Sequence, residues 1–212
     1  MMKKGTREQN IKKIINMEDR IIKCDRCQSL TRCIRRPSLG KGDLEPELLM
    51  VFEYDNPFTM KREAVLNLRD TIKNHLGTEK IYYIFLARCQ PKACAVRENA
   101  NCYMSNKLID KELNCLLTNA KCEGIPIKPS VDVLMNCLPY LMEEIEILQP
   151  EYVILFGNRV GDYVLKSCGY FERAENNHAF NYNGSHFMIS VEETNFTEEH
   201  ALELKALMQA QA

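Results

Sequence analysis

The chain has 212 residues, 45% hydrophobic and 27% charged, and a net charge of −1. This is an ordinary globular composition with length for one sizeable core, and no apolar run reaches the roughly 18 residues that a membrane span requires. Residues 1–36 nevertheless hold eleven Lys/Arg against four Asp/Glu, a balance of +7 that leaves −8 for the rest, so the chain is not basic as a whole but carries a basic arm. Such an arm suits a phosphate backbone or, more simply, a solvated helix face.

The start, "MMKKGTREQNIKKII", is basic with no apolar stretch and small-residue cleavage site behind it, so no secretory leader is expected and the expected location is cytoplasmic. Residues 6–23 read as a helix, with Ile11, Ile14, Ile15, Ile21 and Ile22 recurring on one side. The segment "CDRCQSLTRCIRRPSLGKGDLEPE" is broken by Pro37, Gly40, Gly42 and Pro46 and reads as loop. Leu48 to Tyr54 is a buried strand, residues 58–77 a helix stopping at Gly77, and Ile81 to Ala87 a second buried strand. Residues 92–130 form an excursion holding Cys94, Cys102, Cys115 and Cys122. A helix follows over residues 130–149, with Ser130 as N-cap and a bend or break at Pro139. Glu151 to Gly157 is a third strand, and "NRVGDYVLKSCG" a helix ending at Gly169. A hairpin-like pair, "HAFNYNG" and "SHFMISV", precedes a final acidic helix. Strands alternating with helices predict an α/β fold with a parallel sheet covered on both faces, in a single domain over 1–212.

Ten cysteines in a reducing compartment point to metal ligands or buried thiols rather than disulfides. Cys24 and Cys27 are spaced Cys-x2-Cys, a pattern shared by zinc, iron–sulfur and redox sites. They follow a basic helix and enter a loop, which is not the strand-to-helix position of a thioredoxin-like dithiol. Cys89 lies just past the second strand in "YYIFLARCQP", and Cys137 in "CLPYLMEEIEILQPEYVILFGNRVGDYVL".

With "CDRCQSL", these segments resemble the family 4 uracil-DNA glycosylases, which carry a [4Fe–4S] cluster. The resemblance is concentrated in these three blocks and spans residues 20–191. It implies a three-layer α/β/α sandwich around a short parallel sheet, uracil-DNA glycosylase-like, and a cluster held by Cys24, Cys27, Cys89 and Cys137. Cys33 and the cysteines of the excursion are spare candidates. The family has a much shorter gap between its third and fourth ligands than the 47 residues separating Cys89 from Cys137, and the excursion accounts for the difference.

Excision of uracil needs a reader for the flipped base, an aromatic face to stack on it, and stabilisation of the departing anion. The family supplies a "GEAPG" turn after the first strand, an Asn on the second strand and a His-Pro after the last. In this chain "VFEYDN" keeps the acid as Glu53 but places Phe52 at the glycine, Phe85 falls where the Asn reads the base, and "ISVEETNF" has no His-Pro. Phe58 corresponds to the family's stacking Phe, or is a core residue at a helix start.

The expectation is therefore an iron–sulfur, DNA-binding protein related to DNA repair whose catalytic motifs are degenerate. Arg26, Arg32, Arg35 and Arg36 are the expected phosphate contacts. The alternatives are an active glycosylase, with Glu53 positioning water and Phe58 stacking the base, and a non-catalytic subunit that binds a protein partner through the acidic C-terminal helix and the excursion. A membrane partner is not expected.

Overall fold

The computed structural model describes residues 5–27, 37–93, 110, 112, 114–121 and 125–211. Its strands are β1 (Lys41–Gly42), β2 (Leu48–Tyr54), β3 (Ile81–Ala87), β4 (Lys92–Ala93), β5 (Asn114–Cys115), β6 (Ala120–Lys121), β7 (Ile125–Pro126), β8 (Tyr152–Phe156), β9 (Ala179–Tyr182) and β10 (Ser185–Ser190). The helices are α1 (Arg7–Ile22), α2 (Arg62–Leu76), α3 (Val131–Leu148), α4 (Asn158–Ser167) and α5 (Glu198–Gln211).

Six strands form the central sheet in the order β1-β3-β2-β8-β10-β9. β3, β2, β8 and β10 run parallel, and β1 and β9 close the two edges antiparallel. The sheet is thus wider and more mixed than the short parallel one expected. The four central strands are buried on both faces, which explains why they read as continuous apolar runs rather than alternating ones. Along β2, Leu49 and Val51 face a core shared with Met17 of α1, Leu141 of α3 and Val164 of α4. Leu48, Met50 and Phe52 face a second core with Leu68 and Ile72 of α2 and Leu204 of α5. Helices therefore flank both faces of a mostly parallel sheet, an α/β sandwich.

Two local expectations change. In α1 the buried positions are Asn10, Ile14, Met17 and Ile21, while Ile15 and Ile22 are exposed. A period of 3.6 residues cannot turn adjacent isoleucines to the same side. α3 runs unbroken with Pro139 inside it. β1 was not legible at all, because Lys41 and Gly42 have no strand pattern of their own and are held by pairing with Tyr83 and Tyr82.

The excursion leaves and returns through an antiparallel stem, Lys92 opposite Pro126 and Ala93 opposite Ile125. Among the described residues no helix is long and apolar enough to cross a membrane.

The topology also locates a crevice. From β2 the chain passes to β3 on one side, then returns to β8 on the other, so the strand order reverses at β2. In open α/β sheets ligands bind outside the carboxyl ends of the strands at such a reversal, here between β2 and β8.

Candidate functional site

Three groups of side chains gather near the carboxyl ends of the parallel strands. The first contains the cysteines. Cys137 is buried on α3, and its Sγ accepts a hydrogen bond from the backbone N–H of Arg88 at 3.4 Å. Burial pushes its thiol up and the neighbouring Cys27 adds to this, whereas the Arg88 and Cys89 backbone N–H groups pull the other way. The Asn136 side-chain amide donates to the Cys27 Sγ at 3.5 Å. Cys24 is hydrogen-bonded to Tyr140, one helical turn beyond Cys137. Cys24, Cys27 and Cys89 all pack against the core that contains α1 and α3.

Arg26 lies between the two cysteines of the pair. Its guanidinium sits 4.7 Å from the centre of the Tyr140 ring and donates to the Asn136 carbonyl at 3.2 Å, fastening this loop to α3. Its side chain is thus engaged within the protein. Arg32, Arg35, Arg36 and Cys33 lie outside the described residues, as do Cys94, Cys102 and Cys122.

Below these cysteines is a buried ionic group. Glu144 of α3 pairs with Arg88 and accepts a hydrogen bond from the Tyr82 hydroxyl at 2.7 Å, and both charged side chains are 1% exposed. The Tyr82 hydroxyl is driven far above its ordinary value by burial and by Glu144. Gly40 packs so closely on Tyr82 and Glu144 that a Cβ would collide with both. The Ser38 N–H donates to the Arg88 carbonyl at 2.8 Å. The residues that flank Cys89 are therefore rigidly held.

The second group surrounds Glu53. One carboxylate oxygen pairs with Arg159 of α4 and the other with Lys128 at 3.4 Å. Arg159 also donates to the Pro129 carbonyl at 3.0 Å, and Lys128 faces Glu192 at 3.8 Å. Gly157 makes this possible: its φ of 88° turns the end of β8 directly into α4, placing Arg159 in the first turn. Beyond β10, where the resemblance calls for His-Pro, stand Glu192 and Glu193. Glu193 is buried and accepts a hydrogen bond from the Asn56 side chain. Burial raises its carboxyl above the ordinary range, the Asn56 bond opposes this, and Glu192 and Glu53 add to the rise.

The third group is aromatic. Phe52 is fully buried, stacked on Phe156 with centroids 5.1 Å apart and 6.0 Å from Phe85 and from Tyr83. Phe196 meets Phe156 edge-on at 5.5 Å. Phe58 packs at the margin of this cluster, and its N–H donates to the Asn56 Oδ1 at 2.9 Å, forming the turn that leads into α2. The reversal between β2 and β8 is thus filled on one face by Phe52 and Phe156 and spanned on the other by Glu53 and Arg159.

No protein-family model matches the chain, and no curated protein matches it. The local geometry is what speaks to function. Among the described residues no three His, Cys, Asp or Glu converge to hold a single metal ion. Cys24, Cys27, Cys89 and Cys137 are thiols, the ligand type that iron–sulfur groups take, and N–H donors are directed at the sulfurs of Cys27 and Cys137. Glu53 has one oxygen paired with Arg159 and the other facing Lys128, so its carboxylate is held as an ion pair.

Sequence reasoning missed Arg159, Lys128, Asn56 and Glu193. Only "FGNR" carried a trace of them, since a glycine ending a strand before a helix places the next residues at the crevice.

Proposed function

We propose that this protein is a divergent member of the uracil-DNA glycosylase superfamily, of the iron–sulfur type, that binds DNA and does not excise uracil. Cys24, Cys27, Cys89 and Cys137 would hold a [4Fe–4S] cluster, whose contribution is structural, fastening the N-terminal loop to α3 and to the end of β3. The thiols are supported for that role by Asn136, Tyr140 and the Arg88 backbone.

The observation that carries the reading is the state of the crevice. Glycosylase chemistry needs an open pocket with a base reader and a free acid. Here the positions aligned with the reader and the close-approach glycine are Phe85 and Phe52, packed on each other and on Phe156. A phenylalanine can neither read the uracil edge nor leave room for it. Glu53 remains, held as an ion pair.

The test is a combined assay on anaerobically purified protein with labelled single- and double-stranded oligonucleotides containing one uracil. The expected result is salt-sensitive binding with no abasic product above a Glu53→Gln control. Abasic product well above that control would establish the active-glycosylase alternative. No affinity for either strand form, with a protein that co-purifies in fixed ratio, would establish the interaction-subunit alternative.

A further inference from the structure

A groove of about 330 Å³ runs along the β1 edge of the sheet, on the far side of Tyr83 from Phe52. Its lining includes Lys41 of β1, Tyr83 of β3, and Arg62, Leu66 and Arg69 of α2. Arg62, Leu66 and Arg69 recur at i, i+4 and i+7, so they share one stripe of the helix, with the Cα atoms of the two arginines about 10 Å apart along its axis. Glu63 and Asp70 belong to the next stripe and are not part of the lining. Lys41 lies directly opposite Tyr83 in the antiparallel pair, which puts the two side chains next to each other on the same face.

Lys41, Arg62 and Arg69 have no acidic partner within 4.0 Å among the described residues. Three cations from two elements thus converge on one groove with their charge uncompensated. The amino end of α2 adjoins it, and its N-cap, Lys61, supplies no side-chain acceptor, so the first-turn N–H groups add to the positive field. Tyr83 is held by T-shaped contacts with Phe52 and Phe85, both 6.0 Å away, and is partly exposed. Met60 and Leu66 are exposed apolar walls, 43% and 39% accessible.

A positive groove with a rigid aromatic ring is the arrangement that binds single strands, with cations following the phosphates and the ring offering its face to a base. We infer that this groove carries the sugar–phosphate backbone of a single-stranded nucleic acid, with Lys41, Arg62 and Arg69 on phosphates and Tyr83 stacking one base. This rests on the nucleic-acid reading above and gives it a path separate from the basic arm. An acidic peptide would satisfy the cations but leave the Tyr83 face unused.

The probe is a fluorescein-labelled thymidine oligonucleotide, titrated by anisotropy with full-length protein over a range of salt concentrations. Each of Lys41→Gln, Arg62→Gln and Arg69→Gln removes one phosphate contact, so each lowers the slope of log affinity against log salt by about 0.7 and weakens binding roughly threefold at moderate salt. Tyr83→Leu weakens binding at every salt and leaves the slope unchanged, whereas Tyr83→Phe binds as wild type does. Arg173→Gln, an exposed cation outside the groove, changes neither. Melting curves confirm that the variants are folded. If wild type binds but the triple Gln variant keeps its affinity and slope, the groove is not the path and the nucleic-acid reading stands without it. If wild type does not bind, that reading fails and the groove assignment with it. Competition by polyglutamate as effective as that by the oligonucleotide would make this an acidic-protein surface and overturn the inference.

Discussion

Glu53 and Glu193 stand within one acidic neighbourhood, and their settings give them different tasks. Glu53 is balanced by Arg159 and Lys128, so replacing it leaves two cations facing each other in a half-buried place. Glu53→Gln is expected to cost about 1–3 kcal/mol in a urea titration. An unchanged midpoint would mean that the ion pairs do not form in solution. Among the described residues Glu193 has no cation within 4.0 Å, and its carboxyl is raised by burial and by Glu192 and Glu53. A carboxyl raised on folding binds more protons in the native state than in the unfolded one. Stability from this group is therefore full below the ordinary glutamate range and is lost as pH rises through the raised value. Glu193→Gln keeps an acceptor for Asn56 and cannot ionise. Melting temperatures measured from pH 4 to 8 should show the variant losing less stability than wild type on the alkaline side. Parallel curves would show that Glu193 is not the group that titrates.

At the scale of elements, the buried Arg88–Glu144 pair is what joins β3 to α3. Removing one partner of such a pair strands a charge, so Arg88→Met should destabilise by about 3–5 kcal/mol. Arg88→Met with Glu144→Leu should recover most of that loss, and a double variant no better than the single one would mean that packing, not charge, is at stake. These two elements were readable in advance because each is long and carries its own pattern. β2 and β3 are uninterrupted apolar runs closed by polar residues, and both strands fall where that reading places them, Leu48–Tyr54 and Ile81–Ala87. α2 ends at Gly77, whose φ of 73° is the left-handed stop expected of a glycine there. What could not be read depends on partners far along the chain. β1 exists only because Tyr82 and Tyr83 pair with it. The cations on Glu53 come from positions 128 and 159, and no local spacing announces an ion pair of that reach. Pro139 does not interrupt α3, because a proline inside a helix removes one hydrogen bond while burial of Leu134, Cys137, Leu141 and Ile145 continues on either side of it.

At the scale of the molecule, helices on both faces of a mostly parallel sheet leave the strand-order reversal at β2 as the natural place for a ligand. That place holds the stacked Phe52 and Phe156 on one face and the Glu53–Arg159 ion pair on the other. Positive charge gathers elsewhere, along the β1 edge. An aromatic-filled strand reversal and a separate basic groove are the two features that the proposed nucleic-acid role draws on. Central to this account is the cluster, since the four cysteines are the strongest strand of the resemblance from which the nucleic-acid reading follows. The most direct measurement is iron and acid-labile sulfide, with the visible absorption spectrum, on protein purified without oxygen. The account predicts brown protein with about four irons and four sulfides per chain, falling sharply in Cys24→Ser, Cys27→Ser, Cys89→Ser and Cys137→Ser but not in Cys168→Ser. Colourless protein free of iron, or full iron retained in all four variants, would contradict it.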